Sequence, residues 1–294
     1  MGALPIDLGM GILCGLLAAL CWGLGDYLIT QLTRRVGTTR AMTYIQPLSL
    51  LIWITLLALQ FRAPEGGVAI WAIAIGTGVC HVAGLALVYR AFEVGTLSLV
   101  SPISSSFAVV TALLALATGE RPPALALAGA GLLFIGIVFA TRSPGESTPG
   151  GAKLTGIPEA LGSAVGFGAM FWLFYFFVQP ELGYIWPLIV LKMLASSSSL
   201  IARTRTDEPP ADRPKSSLSK IWLLAIGAAV ADTAAWLAYI WGTSTVYATV
   251  VTALASLFSV VTILLAWVLL KERLAVNQWV GVAVVLTGVF LVSI

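Results

Sequence analysis

The chain has 294 residues, of which 59% are hydrophobic and 10% charged, and its formal net charge is +3. A single soluble core of this length cannot keep so much apolar surface from water, so the composition excludes an ordinary globular domain and puts the chain in lipid. The small positive balance comes without a basic patch interleaved with aromatics, which sets nucleic acid aside as a partner.

Apolar runs long enough to cross a hydrocarbon core of roughly 30 Å recur between clusters of charge, Pro and Gly. In chain order they are expected near residues 8–31, 41–61, 69–92, 96–118, 123–141, 157–178, 182–201, 219–242, 245–270 and 276–293. The expected fold class is an all-α integral membrane protein with ten transmembrane helices. A spanning barrel would need short alternating segments, and a continuous run such as 250–270 does not alternate. No basic region precedes the first helix and no small-residue cleavage site stands clear of it, so it reads as a retained span.

Charge gives the orientation. Arg34 and Arg35 follow the first helix directly, and with ten helices the same side holds Arg40, Arg90, Arg142, Lys153, Arg203, Arg205, Arg213, Lys215, Lys220, Lys271 and Arg273. The opposite side holds only Arg62 and Arg121. Positive loops stay in the cytoplasm, so both termini are expected on the non-cytoplasmic side of the cell (inner) membrane. The polar connections at 142–153 and 203–220 are then cytoplasmic linkers.

The chain also reads twice. Trp71/Trp222, Gly76/Gly227, Phe107/Phe258, Val109-Val110-Thr111/Val260-Val261-Thr262 and Leu113-Leu114-Ala115/Leu264-Leu265-Ala266 fall in one register. Tyr44-Ile45-Gln46-Pro47-Leu48 returns as Tyr184-Ile185-Trp186-Pro187-Leu188, and Gly23 aligns with Gly168. The halves are 1–142 and 157–294, joined by a linker at 143–156. Five helices per half is an odd number, so the second half enters the membrane upside down relative to the first, an inverted repeat of the kind that packs around a midplane site.

Trp22-Gly23, the Val100-Ser101-Pro102-Ile103 start of helix 4, and the Gly119-Glu120-Arg121 and Lys271-Glu272-Arg273 turns before Gly-bearing helices resemble the EamA-type transporters of the drug/metabolite transporter superfamily. The resemblance covers nearly the whole chain. It implies export of a small organic solute, such as an amino acid or related metabolite, through a central cavity lined by helices 1, 3, 4, 6, 8 and 9.

Ionisable residues inside a span cost roughly 2.5 to 3.5 kcal/mol on insertion scales and so are functional candidates. His81 sits in the middle of helix 3, and Asp232 holds the matching place in helix 8. Both are expected to bind solute or to carry protons, the candidate co-substrate; plain hydrogen bonds to neighbouring helices are the structural alternative. Lys192 in helix 7 either pairs with Asp232 or snorkels to the interface. Asp26, one turn after Trp22, is a candidate for gating or coupling, with water or Arg34 and Arg35 as alternative partners. Arg90 and Glu93 read as an interfacial ion pair.

Asp232, Trp236 and Tyr239 share one face of helix 8, as Gly168, Trp172 and Tyr175 do on helix 6, and such faces suit a cavity for an apolar or aromatic solute. Trp22 and the hydroxyl of Ser101, near the Ser104-Ser105-Ser106 cluster, complete the candidate binding set. Trp71, Trp222, Trp279 and Tyr184 near helix ends fit interfacial belts instead. Pro47, Pro187 and Pro102 mark places where a helix can bend, and Gly162-xxx-Gly166 and Gly11-xxx-Gly15 allow close approach. Cys14, Cys21 and Cys80 lack metal-ligand spacing and read as apolar packing.

No catalytic constellation, phosphate loop, cofactor motif or metal set is visible, so an enzyme is not expected. The reading is a secondary transporter using alternating access. A passive channel and a non-transporting assembly subunit are the competing classes.

Overall fold

A computed structural model describes residues 5–59, 63, 66–119, 124–141, 155–205, 217–245, 251, 254–255 and 257–293. Most of the two expected linkers, the Glu120-Arg121 turn and Arg62 lie outside these residues. Among the described residues every regular element is helical: α1 (Pro5–Val36), α2 (Thr38–Leu59), α3 (Val68–Val94), α4 (Leu97–Ser104), α5 (Phe107–Ala117), α6 (Ala124–Thr141), α7 (Ile157–Leu173), α8 (Gln179–Leu182), α9 (Ile185–Thr204), α10 (Leu218–Thr245), α11 (Phe258–Leu269) and α12 (Val276–Ser293).

Seven helical stretches are long and apolar enough to span a membrane, and α11 and α12 are shorter apolar helices. Leu13, Leu17, Leu20, Leu51, Val79 and Leu223 project outward from these helices, as lipid-facing residues do. The protein is a multi-pass membrane protein.

Three expected helices are interrupted. The run at 96–118 divides into α4 and α5, where the chain past Pro102 tightens into a three-residue turn. The Ser106 amide reaches the Ile103 carbonyl at 3.1 Å and the Val109 amide reaches that of Ser106 at 3.0 Å. The second half repeats the turn in register, with the Leu257 amide on the Leu254 carbonyl at 3.1 Å and that of Val260 on Leu257 at 2.9 Å. The run at 157–178 ends in a π turn, Phe174–Val178, which passes into α8. Pro47 lies inside α2, whereas Pro187 falls in the first turn of α9, where a missing amide costs no helical bond.

The main packing pairs join the two halves reciprocally. Helix α1 lies against α10 and α11, and its counterpart α7 lies against α3 and α5. Likewise α3 meets α9 while α10 meets α2, and α2 pairs with α9 and α6 with α12. Small residues permit these approaches. A Cβ on Gly166 would stand 2.8 Å from the Gly84 Cα, so α7 and α3 touch backbone to backbone at the Gly162-xxx-Gly166 face.

Candidate functional site

Where α1, α2, α3, α7, α9 and α10 meet the α4–α5 and α11 segments, they leave a cavity of ≈ 950 Å³ of atom-free space, counted out to its open edge. Trp22, Phe107, Phe167, Phe171, Trp236 and Phe258 form its aromatic wall. Trp22 meets Trp236 edge to face at 5.7 Å between centroids, and Phe107 stacks on Phe171 at 4.7 Å.

Asp26, Gln46, His81, Ser101, Lys192 and Asp232 add the polar groups. Lys192 is buried, and its Nζ donates to Asp232 Oδ2 at 2.6 Å, so pairing rather than snorkelling satisfies it. Asp26 is held differently from expectation. Its Oδ2 accepts from Ser101 Oγ at 2.9 Å and from Thr262 Oγ1 at 3.0 Å, while Arg34 and Arg35 are engaged elsewhere. Arg35 bonds the carbonyl and side chain of Gln31, one turn back.

His81 is only 5% exposed, and neither ring nitrogen has a hydrogen-bond partner. Gln46 Nε2 donates to Tyr89 Oη at 3.1 Å, leaving Gln46 Oε1 buried and unpartnered beside it. Unpaired buried polar atoms are costly, and several bordering one cavity are groups that a solute can satisfy.

Of the ten residues singled out in the sequence, the cavity gathers Trp22, Asp26, His81, Ser101, Lys192, Asp232 and Trp236. Tyr239, Trp172 and Tyr175 do not line it. Tyr239 packs behind the wall, 5.8 Å from Trp22. The Gly168 face of α7 is spent on contact with α5, so the lining residues are Phe167, Met170 and Phe171, on a neighbouring stripe. Trp172 turns against Phe177 at 5.2 Å, and the π turn shifts the helical phase beyond it. Tyr175 stacks behind Phe171 at 5.8 Å.

Residues missed in the sequence carried usable signals. Phe167 is the register mate of Trp22. On α3, His81, Leu85, Val88, Tyr89 and Phe92 recur at helical spacing and all line the cavity.

Beyond Phe92 the end of the cavity is tied across the halves. Arg34 donates to the Phe92 carbonyl at 3.2 Å, the Gly95 carbonyl at 2.8 Å and Glu272 Oε1 at 2.9 Å. The Glu272 carboxylate also accepts from the amides of Leu97 and Ser98, at 3.1 and 2.9 Å, and from Ser98 Oγ at 2.9 Å, so it caps α4. The expected Arg90–Glu93 pair is present at 3.1 Å, and Glu93 also caps α2 through the Thr38 amide at 2.9 Å.

Among the described residues no three of His, Cys, Asp and Glu gather as a metal site requires. Cys14 is buried, and Cys21 and Cys80 are half-buried free thiols.

An α-helical membrane bundle with a central aromatic and polar chamber is the architecture of a solute carrier. Residues 9–142 and 154–294 each match the EamA-like transporter family, and the chain belongs to that family, a membrane transporter group of the drug/metabolite type. No curated protein matches the sequence. A solved structure described as "Crystal structure of protein" has the same fold, with a TM-score of 0.61 and 15% identity over 97% of this chain and 98% of that one.

Proposed function

We propose that this transporter moves a small organic solute, of the size of an amino acid or related metabolite, across the inner membrane by alternating access, in the direction of export. Ten spans in two inverted halves, 1–142 and 157–294, with both termini outside, are part of the same reading.

The observation that carries it is a reciprocal pair of contacts. A Cβ on Gly23 would stand 2.6 Å from Val261 Cβ and 2.9 Å from the Phe258 carbonyl, and one on Gly168 would stand 2.4 Å from Val110 Cβ and 2.9 Å from the Phe107 carbonyl. Val110 and Val261, like Phe107 and Phe258, are register mates. Each half thus grips the other at the same place, as expected of a two-fold relation through the cavity, and two such packings of related halves can exchange which side is open.

Solute binds at the aromatic wall with His81, Asp232, Trp236, Trp22 and Ser101, while Asp26 and Lys192 serve gating or coupling. Purified protein in liposomes should show saturable solute movement with counterflow. Linear flux without counterflow would replace the carrier by a channel. Protons are the co-substrate if His81→Gln or Asp232→Asn shifts the pH dependence of flux; an unchanged profile in both removes those residues as the coupling site. A reporter fused to the C-terminus should register the non-cytoplasmic side.

A further inference from the structure

We propose that the solute is an organic monocation, an ammonium group carried on an apolar or aromatic body, and that Asp26 is the residue that selects it. This rests on the reading of the cavity as the transport site, and adds to the gating or coupling role of Asp26 a direct contact with the solute.

The argument begins with charge. Two carboxylates, Asp26 and Asp232, and one ammonium, Lys192, line the chamber. Lys192 is committed to Asp232 at 2.6 Å. Among the described residues Arg34 pairs with Glu272 and Arg90 with Glu93, all four outside the lining, and no cation lies within ion-pair distance of Asp26. Asp26 has hydroxyl donors only, from Ser101 and Thr262. Among the described residues the chamber therefore holds one carboxyl group without a cationic partner, in surroundings of low dielectric where the charge of its ionised form is strongly felt.

An anionic solute meets that charge with no free cation to offset it. A zwitterion brings an ammonium for Asp26 and a carboxylate for which Lys192 is already taken. A neutral solute leaves Asp26 unpaired, with a proton as its only neutralising partner. A monocation neutralises it.

The wall fits the same ligand. Trp22 lies one turn from Asp26 on α1, and Trp236, Phe107, Phe171 and Phe258 line the same chamber, aromatic rings of the kind that attract ammonium groups. The open ring nitrogens of His81, 5% exposed, and the unpartnered Gln46 Oε1 provide for a further polar group on the solute.

The test uses N,N,N-trimethylphenethylammonium, a fixed monocation that cannot cross a bilayer unaided. Proteoliposomes should take it up saturably, and phenethylamine should compete at roughly tenfold lower concentration than phenylalanine, its zwitterionic relative, because both bring the ammonium but the zwitterion's carboxylate is left without a cationic partner. Asp26→Asn should weaken uptake by roughly tenfold or more and Asp26→Glu should retain it, with the thermal unfolding of each variant checked for intact folding. Stronger competition by phenylalanine, or full activity in Asp26→Asn, overturns the proposal while leaving a carrier in place. Absence of saturable movement for all of these probes overturns this proposal, and the transport reading beneath it falls only if a broad panel of small organic solutes also shows no saturable counterflow.

Discussion

The two halves offer the same helical position to the cavity and fill it oppositely. On α1, three residues after Gly23, stands Asp26; on α7, three residues after Gly168, stands Phe171. The glycines make equivalent contacts, so the scaffold is shared and the chemistry is not. The difference extends to the hydroxyl opposite each glycine. Thr262 Oγ1 lies 3.0 Å from the Asp26 carboxylate, whereas its mate Thr111 lies 3.0 Å from the Gly168 carbonyl. Likewise His81 faces the cavity unpartnered where Asp232 holds Lys192, and the mate of Lys192 is Ile52. One half supplies a carboxyl without a cation and an unpartnered imidazole and the other a closed ion pair, so divergence between copies, rather than the repeat itself, sets the chemistry of the chamber.

The largest break in that comparison is to make the second half resemble the first at the ion pair. Lys192→Ile leaves Asp232 without its partner and should lower stability by about 3–5 kcal/mol, read as a fall in Tm in detergent. Lys192→Ile combined with Asp232→Leu should recover most of it. Equal loss in the single and double variants would mean that the pair is not what stabilises the site.

Next come the shared contacts. Gly23→Ala and Gly168→Ala each force a Cβ into a neighbouring valine and should each cost about 1–3 kcal/mol. If denaturant unfolding shows one to be tolerated and the other not, the halves do not grip each other equivalently.

A smaller effect separates the paired threonines. Thr262→Val removes a bond to a carboxylate and Thr111→Val a bond to a carbonyl, so the first should cost about 1 kcal/mol more. Equal losses would argue that Asp26 carries no charge in the resting protein.

The smallest concerns the wall. Trp236→Leu, which installs the first half's Leu85, should remove edge-to-face contacts worth about 0.5–1.5 kcal/mol and raise the half-saturation concentration without abolishing flux. An unchanged value would take Trp236 out of the solute's path.

Much of this was legible in the chain. Burial cost marked His81, Lys192, Asp232 and Asp26 because a charged side chain in an apolar run has few explanations. The repeat register placed Gly23 against Gly168 before any contact between helices was known. Partner choice was less accessible: whether Lys192 reaches Asp232 depends on how α9 and α10 are set around α2, against which both pack, and spacing along one chain does not contain it. That Trp172 and Tyr175 lie outside the cavity lining has a local cause. The close approach of Gly168 to α5 turns the neighbouring stripe, Phe167 and Phe171, to the chamber, and the π turn at Phe174–Val178 changes the helical phase at Tyr175. Tyr239 shares the face of Trp236 yet lies one turn beyond the chamber, because a face specifies direction and not depth.

The carboxylate of Glu272 makes temperature a probe of the molecule. It holds donors from α1 and α4 at once, through Arg34, Leu97 and Ser98, and bonds that share one acceptor group are released together rather than singly. If opening the Phe92 end of the cavity limits turnover, the rate of counterflow will climb steeply on warming, as a barrier rich in enthalpy requires. Glu272→Gln should flatten that Arrhenius slope, and an identical slope would assign the slow step to another part of the cycle.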